Sequence, residues 1–137
     1  MVTIAKERSP MIKLVYIIRK RDDVSDKEFH DYWLNKHGPL VASVAKAIRA
    51  RKYIQSHTIL PETAASMSQS RKMAPIYEGI TEVWWDSVED LTAGGSTPEG
   101  QEAGRLLLQD EAKFIDFQRS TIFFTEEHLM FDFTSKA

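Results

Sequence analysis

The sequence predicts an α+β fold: a four-stranded antiparallel sheet with helices on one face. Three observations lead there. Runs of β-branched and aromatic residues alternate with helical patterns in the order β-α-β-β-α-β, with one short helix inserted after the first. The two main helical segments each open on a strong start signal. The first strand run is apolar on both faces, with Ile12, Leu14, Tyr16 and Ile18 on one side and Val15 and Ile17 on the other. Helices on one side of a sheet cover only one of those faces, so a partner is expected on the other, most simply a second copy.

The elements follow in order. Residues 1–10 are polar, end in Ser9-Pro10 and are read as a flexible extension; residues 11–137 are read as one domain. Ile12 to Ile18 (IKLVYII) is the first strand, bounded by the charged turn Arg19 to Asp23. Ser25 and Glu28 form a capping box and Val24 and Phe29 a hydrophobic staple, which together start a helix. Phe29, Tyr32, Trp33 and His37 recur along it at helical spacing, and Gly38-Pro39 is expected to end it, leaving His37 at a helix C-terminus. Pro39 suits the first turn of a second short helix, Leu40 to about Ile48.

Lys52 to Leu60 is the second strand, with Tyr53, Gln55 and His57 on one face. Pro61 to Pro75, rich in Ala, Ser, Met and Gln, is expected to be a long loop. Its Met67 and Met73 could close over an apolar ligand or simply lie on the surface. Tyr77 to Trp85 is the third strand, followed by a helical turn at Ser87 to Leu91 and a plain break at Gly94-Gly95. Thr97-Pro98-Glu99 supplies an N-cap, proline at the first helical position and an acid in the first turn. The apolar stripe of that helix runs Ala103, Leu106, Leu107, Phe114 and Phe117. Ser120 to Thr125 is the fourth strand, and Leu129 to Phe133 is read as a short edge piece. This order is the split βαβ, ferredoxin-like arrangement.

Composition narrows the function classes. The chain has 137 residues, 42% hydrophobic and 28% charged, with a net charge of −2. That balance argues against nucleic acid, whose backbone calls for an excess of Lys and Arg. No apolar run approaches the roughly 18 residues of a membrane span, and no secretory leader is recognised. There are no cysteines, so disulfides, thiolate nucleophiles and cysteine-held metals are excluded, and a cytoplasmic location is expected. His30 and His37 lie seven residues apart, about 10 Å along a helix axis, too far to share one ion. Phosphate-loop, dinucleotide and nucleophile-elbow motifs are missing as well, so neither a metal nor a cofactor is expected.

Three segments resemble the EthD domain family. FHDYWLNKHGPL is similar to its F-x-x-Y-W-x-x-x-H-x-P motif, and APIYEGITEVWWDSVEDL to its Pro-Tyr-Gly then Glu-x-Trp strand. DEAKFIDFQRSTIFFTEEH is similar to its Asp-Glu-x-x-Phe-x-Asp segment before the last strand. The resemblance runs from about Met11 to His128. It implies a homodimeric α+β barrel, whose wider superfamily includes polyketide cyclases, cofactor-free monooxygenases, and fungal dehydratases and decarboxylases of secondary metabolism. A fold transfers better than a reaction.

The candidate site residues each carry two readings. His37 is a general acid/base, or it caps the last helical carbonyls; the resemblance favours the first, because the family's cavity lies near this helix end. Glu82 shares a strand face with Trp84 and either orients His37 or carries a proton itself, the alternative being an exposed edge carboxylate. Tyr16, Tyr53 and His57 could line the cavity as hydrogen-bond donors or serve packing and the dimer interface. Tyr32, Trp33, Tyr53 and Trp84 are the candidate substrate-binding residues, with Trp33 and Trp84 as walls. Asp110 interrupts the apolar stripe of the last helix; it either pairs with a buried cation or imidazole or sits at the stripe's margin, and the margin is preferred. Glu111 and Asp116 are read as solvated.

The expected function is a cofactor-free lyase-type step (decarboxylation, dehydration or cyclisation) on an aromatic or polyketide-like small molecule. A cofactor-independent monooxygenase and a non-catalytic binding protein are the alternatives.

Overall fold

The computed structural model describes residues 11–134; the extension expected over residues 1–10 lies outside them. Four strands, β1 (Ile12–Ile18), β2 (Lys52–His57), β3 (Gly79–Trp85) and β4 (Thr121–Thr125), form one antiparallel sheet in the order β2-β3-β1-β4. The register places Tyr16 opposite Thr81 and Ile122, and Val15 opposite Glu82 and Phe123. Directly opposed residues share a face. Leu14, Tyr16, Ile18, Tyr53, Thr81, Val83 and Trp85 therefore look toward the helices, and Lys13, Val15, Ile17, Ile80, Glu82 and Trp84 look away. β2 ends at His57 rather than Leu60, and β3 begins at Gly79 rather than Tyr77.

The helices are α1 (Asp26–Tyr32), α2 (Gly38–Val44), α3 (Pro61–Gln69), α4 (Val88–Gly94) and α5 (Pro98–Glu111). Ser25 caps α1 by accepting from the Glu28 amide at 3.1 Å, and Thr97 caps α5 by accepting from the Gly100 amide at 2.9 Å. The chain does not break at Gly38-Pro39. It passes from α1 through a π-helical turn, Trp33–His37, straight into α2, with Gly38 itself helical at φ −55 and ψ −52. Proline in a helix interior removes the bond to the carbonyl four residues back and clashes with it. Widening the turn, so that the Gly38 amide donates to the Trp33 carbonyl five residues back, accommodates Pro39 without ending the helix. His37 is thus held mid-helix rather than at the expected C-terminus, which removes the alternative reading of it as a cap on the last carbonyls.

α3 replaces the expected loop. It has Pro61 at its first turn but buries nothing, so no apolar periodicity announced it. The edge piece expected over Leu129 to Phe133 forms no strand, and its large side chains are exposed.

Phe29, Trp33, Phe114, Ile115, Tyr16 and Ile18 form the core between sheet and helices. Trp33 can lie flat on the sheet because residue 79 is glycine: a Cβ there would come within 2.6 Å of the indole and 2.4 Å of the Ser56 carbonyl. Gly104 is the opposite case. It sits inside α5, and a Cβ added there would meet nothing within 4 Å. Gly104→Ala is expected to stabilise the protein by about 0.5–1 kcal/mol in urea denaturation, because alanine loses less backbone entropy than glycine on folding.

Candidate active site

The site begins with helical phase. Phe29, Trp33 and His37 are buried along one side of α1 and the π turn, and Asp110 is buried on the facing side of α5. His37 Nδ1 and Asp110 Oδ2 are 2.7 Å apart. The other carboxylate oxygen accepts from the Tyr32 hydroxyl and lies 3.3 Å from Lys113 Nζ. Burial pushes the Asp110 carboxyl up, but donation from Tyr32, His37 and Lys113 outweighs it and holds the carboxyl below the ordinary value. The ionised carboxylate can only accept, so the neutral imidazole carries its proton on Nδ1 and leaves Nε2 basic. Burial lowers the His37 pKa, with the Asp110 carboxylate opposing, so the ring stays neutral at pH 7. This is a histidine base oriented by a carboxylate.

His37 lines a cavity of about 140 Å³ between the sheet and the helices, shared with Trp33, Tyr16, Tyr53, Thr81, Trp85 and Glu111. The remaining lining is aliphatic, from residues such as Val41, Val83 and Leu107. Glu111 is a second titratable group there: burial, aided by the Asp110 charge and opposed by the Tyr16 hydroxyl, raises its carboxyl to about 7. Tyr16 is in turn driven far above the usual phenol range by burial and the neighbouring Glu111. Near neutrality the cavity therefore offers an unprotonated imidazole and a half-protonated carboxyl together.

The expected site residues divide accordingly. Tyr16, Trp33, His37 and Tyr53 meet in the cavity, and Tyr32 holds Asp110 from the outer side. Glu82 and Trp84 do not reach it. They lie on the opposite sheet face, where Glu82 bonds Lys13 Nζ at 2.8 Å and the Trp84 indole donates to Glu127 at 2.7 Å. The register pairs them with Lys13 and Val15, on the face turned away from the helices. Trp85 takes the wall position expected of Trp84. His57 stands one residue back from the cavity: its ring packs on Trp33 at 4.2 Å, and its nitrogens contact His30 and Gln55.

Asp110 and Glu111 correct two expectations, since neither is a solvated margin group. Asp110 falls four residues after Leu106 and four before Phe114, and Glu111 four after Leu107, so the stripe itself carried the signal. Asp116 does remain at the surface, bonded to Arg119 at 2.7 Å.

The profile of the EthD domain matches residues 21–118. The chain belongs to the EthD domain family. Among solved structures, an EthD family protein from Bacillus halodurans c-125 is 21% identical, with a TM-score of 0.58 over 86% of this chain and 99% of the other. An EthD-like protein from Ralstonia eutropha jmp134 is 16% identical, with a TM-score of 0.54 over 85% of this chain and 91% of the other. A dimeric ferredoxin-like protein of unknown function from Thermobifida fusca yx is 12% identical, with a TM-score of 0.52 over 86% and 92%. At these identities the likeness is one of fold. No curated protein matches the sequence. The matched stretch contains Tyr32, Trp33, His37, Asp110 and Glu111.

Proposed function

We propose that this EthD protein is a cofactor-free acid/base enzyme of lyase type acting on a small aromatic molecule. One observation supports it above the others: a buried imidazole, fixed by Asp110 with its free nitrogen basic, shares an apolar cavity with a carboxyl that titrates near neutrality. His37 Nε2 removes a proton from the ligand, and Glu111 in its acid form delivers one to the carbon or leaving oxygen. Charge developing on a ligand oxygen is met by the Tyr16 and Tyr53 hydroxyls. Decarboxylation, dehydration and cyclisation through an enol or enolate all use this pair of steps.

The cavity volume bears on the substrate. A void of about 150 Å³ with apolar walls holds one benzene ring, so 140 Å³ suits a single ring better than a fused polyketide. The reading includes a homodimer joined through the sheet face bearing Val15, Ile17, Ile80 and Trp84, supported by the dimeric Thermobifida fusca fold neighbour and by the exposed Ile54 and Phe123. It also places the protein in the cytoplasm, as the cysteine-free sequence favours.

The test uses 2,4-dihydroxybenzoate and resorcinol in deuterium oxide, followed by proton NMR and by carbon dioxide release. The wild type is expected to accelerate carbon dioxide loss or ring deuteration, and His37→Gln to remove at least about a hundredfold of that rate. Equal rates for the two proteins, with both probes bound, would sink the proposal. Oxygen consumption during turnover would instead point to a monooxygenase.

A further inference from the structure

A polar chain runs into the cavity from its far side and ends on Tyr53. Gln55 Nε2 lies 2.7 Å from the Trp33 carbonyl and 2.7 Å from the Tyr53 hydroxyl oxygen. Gln55 Oε1 lies 2.8 Å from His57 Nε2, and His57 Nδ1 lies 2.7 Å from His30 Nδ1. The direction of every bond follows from the first. A backbone carbonyl only accepts, so the Gln55 amide nitrogen must face Trp33, and the same NH₂ group donates its second proton to Tyr53. The amide oxygen then accepts from His57 Nε2–H. Neutral His57 is left with a bare Nδ1, which accepts from His30 Nδ1–H. The Trp33 carbonyl accepts twice, from the Gly38 amide that closes the π turn and from Gln55, and Gly38 leaves room for the amide: a Cβ there would stand 3.0 Å from Gln55 Nε2.

We propose that Gln55 is the residue that sets ligand polarity, holding Tyr53 as a committed hydrogen-bond donor opposite the basic Nε2 of His37. The Tyr53 hydroxyl oxygen accepts from Gln55 at 2.7 Å, with the Trp33 and Thr81 side chains also on its donor side, and among the described residues no hydrogen bond of ordinary length takes the Tyr53 proton, which is left for a ligand. The cavity therefore takes a one-ring compound with an acceptor oxygen, a carbonyl or developing enolate, on one side and an acidic proton on the other. Gln55 acts through Tyr53 and is a positioning residue. The inference rests on the cavity being the ligand site, as proposed above, but does not require that the protein turn anything over.

Benzaldehyde and styrene have nearly the same shape and differ in the acceptor oxygen, so their affinities, read by calorimetry, report the donor. Wild type is expected to favour benzaldehyde by about tenfold, one charge-neutral hydrogen bond. Gln55→Leu, which removes the amide, and Gln55→Glu, whose carboxylate accepts the Tyr53 proton, should each shrink the preference to about twofold or less. A wild type that binds both equally overturns the inference. The unliganded protein gives an independent reading: the Tyr53 Cζ resonance, assigned with Tyr53→Phe, should shift and its titration move to higher pH in both Gln55 variants. An unmoved Tyr53 resonance in Gln55→Glu also overturns the inference. Binding of neither probe together with a shifted resonance would keep the polarity and instead count against the cavity as the ligand site.

Discussion

Asp110→Asn is expected to lower turnover by about a hundred- to ten-thousand-fold with the fold intact, the range spanned by general acid–base catalysis. The direction comes from the partners of the two carboxylate oxygens. One oxygen receives Tyr32 and Lys113, both donors, and the other faces His37. An asparagine satisfies that arrangement by keeping its carbonyl toward Tyr32 and Lys113 and turning its NH₂ toward His37. His37 must then accept at Nδ1 and carry its proton on Nε2, where the base was. The tautomer is measurable without substrate, by nitrogen-15 NMR of histidine-labelled protein. Wild type should show Nδ1–H and the variant Nε2–H. The acid limb of any pH–rate profile, set by His37 below its ordinary 6.5, should move lower still in the variant, because the charge that supports the imidazolium is gone. An unchanged tautomer with unchanged activity would remove Asp110 from the site.

Glu111→Gln is expected to stabilise the protein in alkaline solution and to leave it nearly unchanged in acid. The folded carboxyl keeps its proton up to about pH 7, whereas an unfolded one releases it near 4.5. Between those values the folded state binds more protons, so stability falls as pH rises, and the full loss is present above 7. The shift corresponds to about 3 kcal/mol. Urea denaturation at pH 4 should give variant and wild type within about 0.5 kcal/mol, and at pH 8 a variant more stable by about 3 kcal/mol. His37 acts in the opposite sense, losing stability as pH falls below 6.5, and does so equally in both proteins. A variant that is less stable at pH 8 would mean that the Glu111 carboxylate is well solvated or paired, and the proposed acid would be lost. A natural protein that keeps a destabilising group in its interior is following a pattern typical of functional sites.

Much of the frame was legible in the sequence. β1 came out with both ends in place because a β-branched run bounded by charge leaves little choice, and the caps of α1 and α5 follow from Ser25 and Thr97. The site was legible only in part. That His37, Trp33, Tyr16 and Tyr53 face one interior could be read because helix and strand periods place them inward. Glu82 was misplaced because alternation says which residues share a face but not which face the helices cover. Asp110 and Glu111 were misjudged because a carboxylate is normally solvated, and only a buried partner on another element reverses that; Tyr32 and His37 are such partners for Asp110, more than seventy residues away in sequence. The π turn escaped because Gly-Pro ordinarily stops a helix, and the alternative depends on packing against the sheet.

That turn governs the alignment of the whole site. In an α-helix, residues four apart overshoot a full revolution by about 40°, so a third residue in the series would drift by about 80° from the first. A turn that closes on the fifth residue advances less per residue and swings His37 back into line with Phe29 and Trp33. The segment therefore works as a phase corrector, one residue longer than a regular helix would need. Losing any single residue between Trp33 and His37 would preserve the sequence motif almost whole, yet point the imidazole and the aromatic face in different directions.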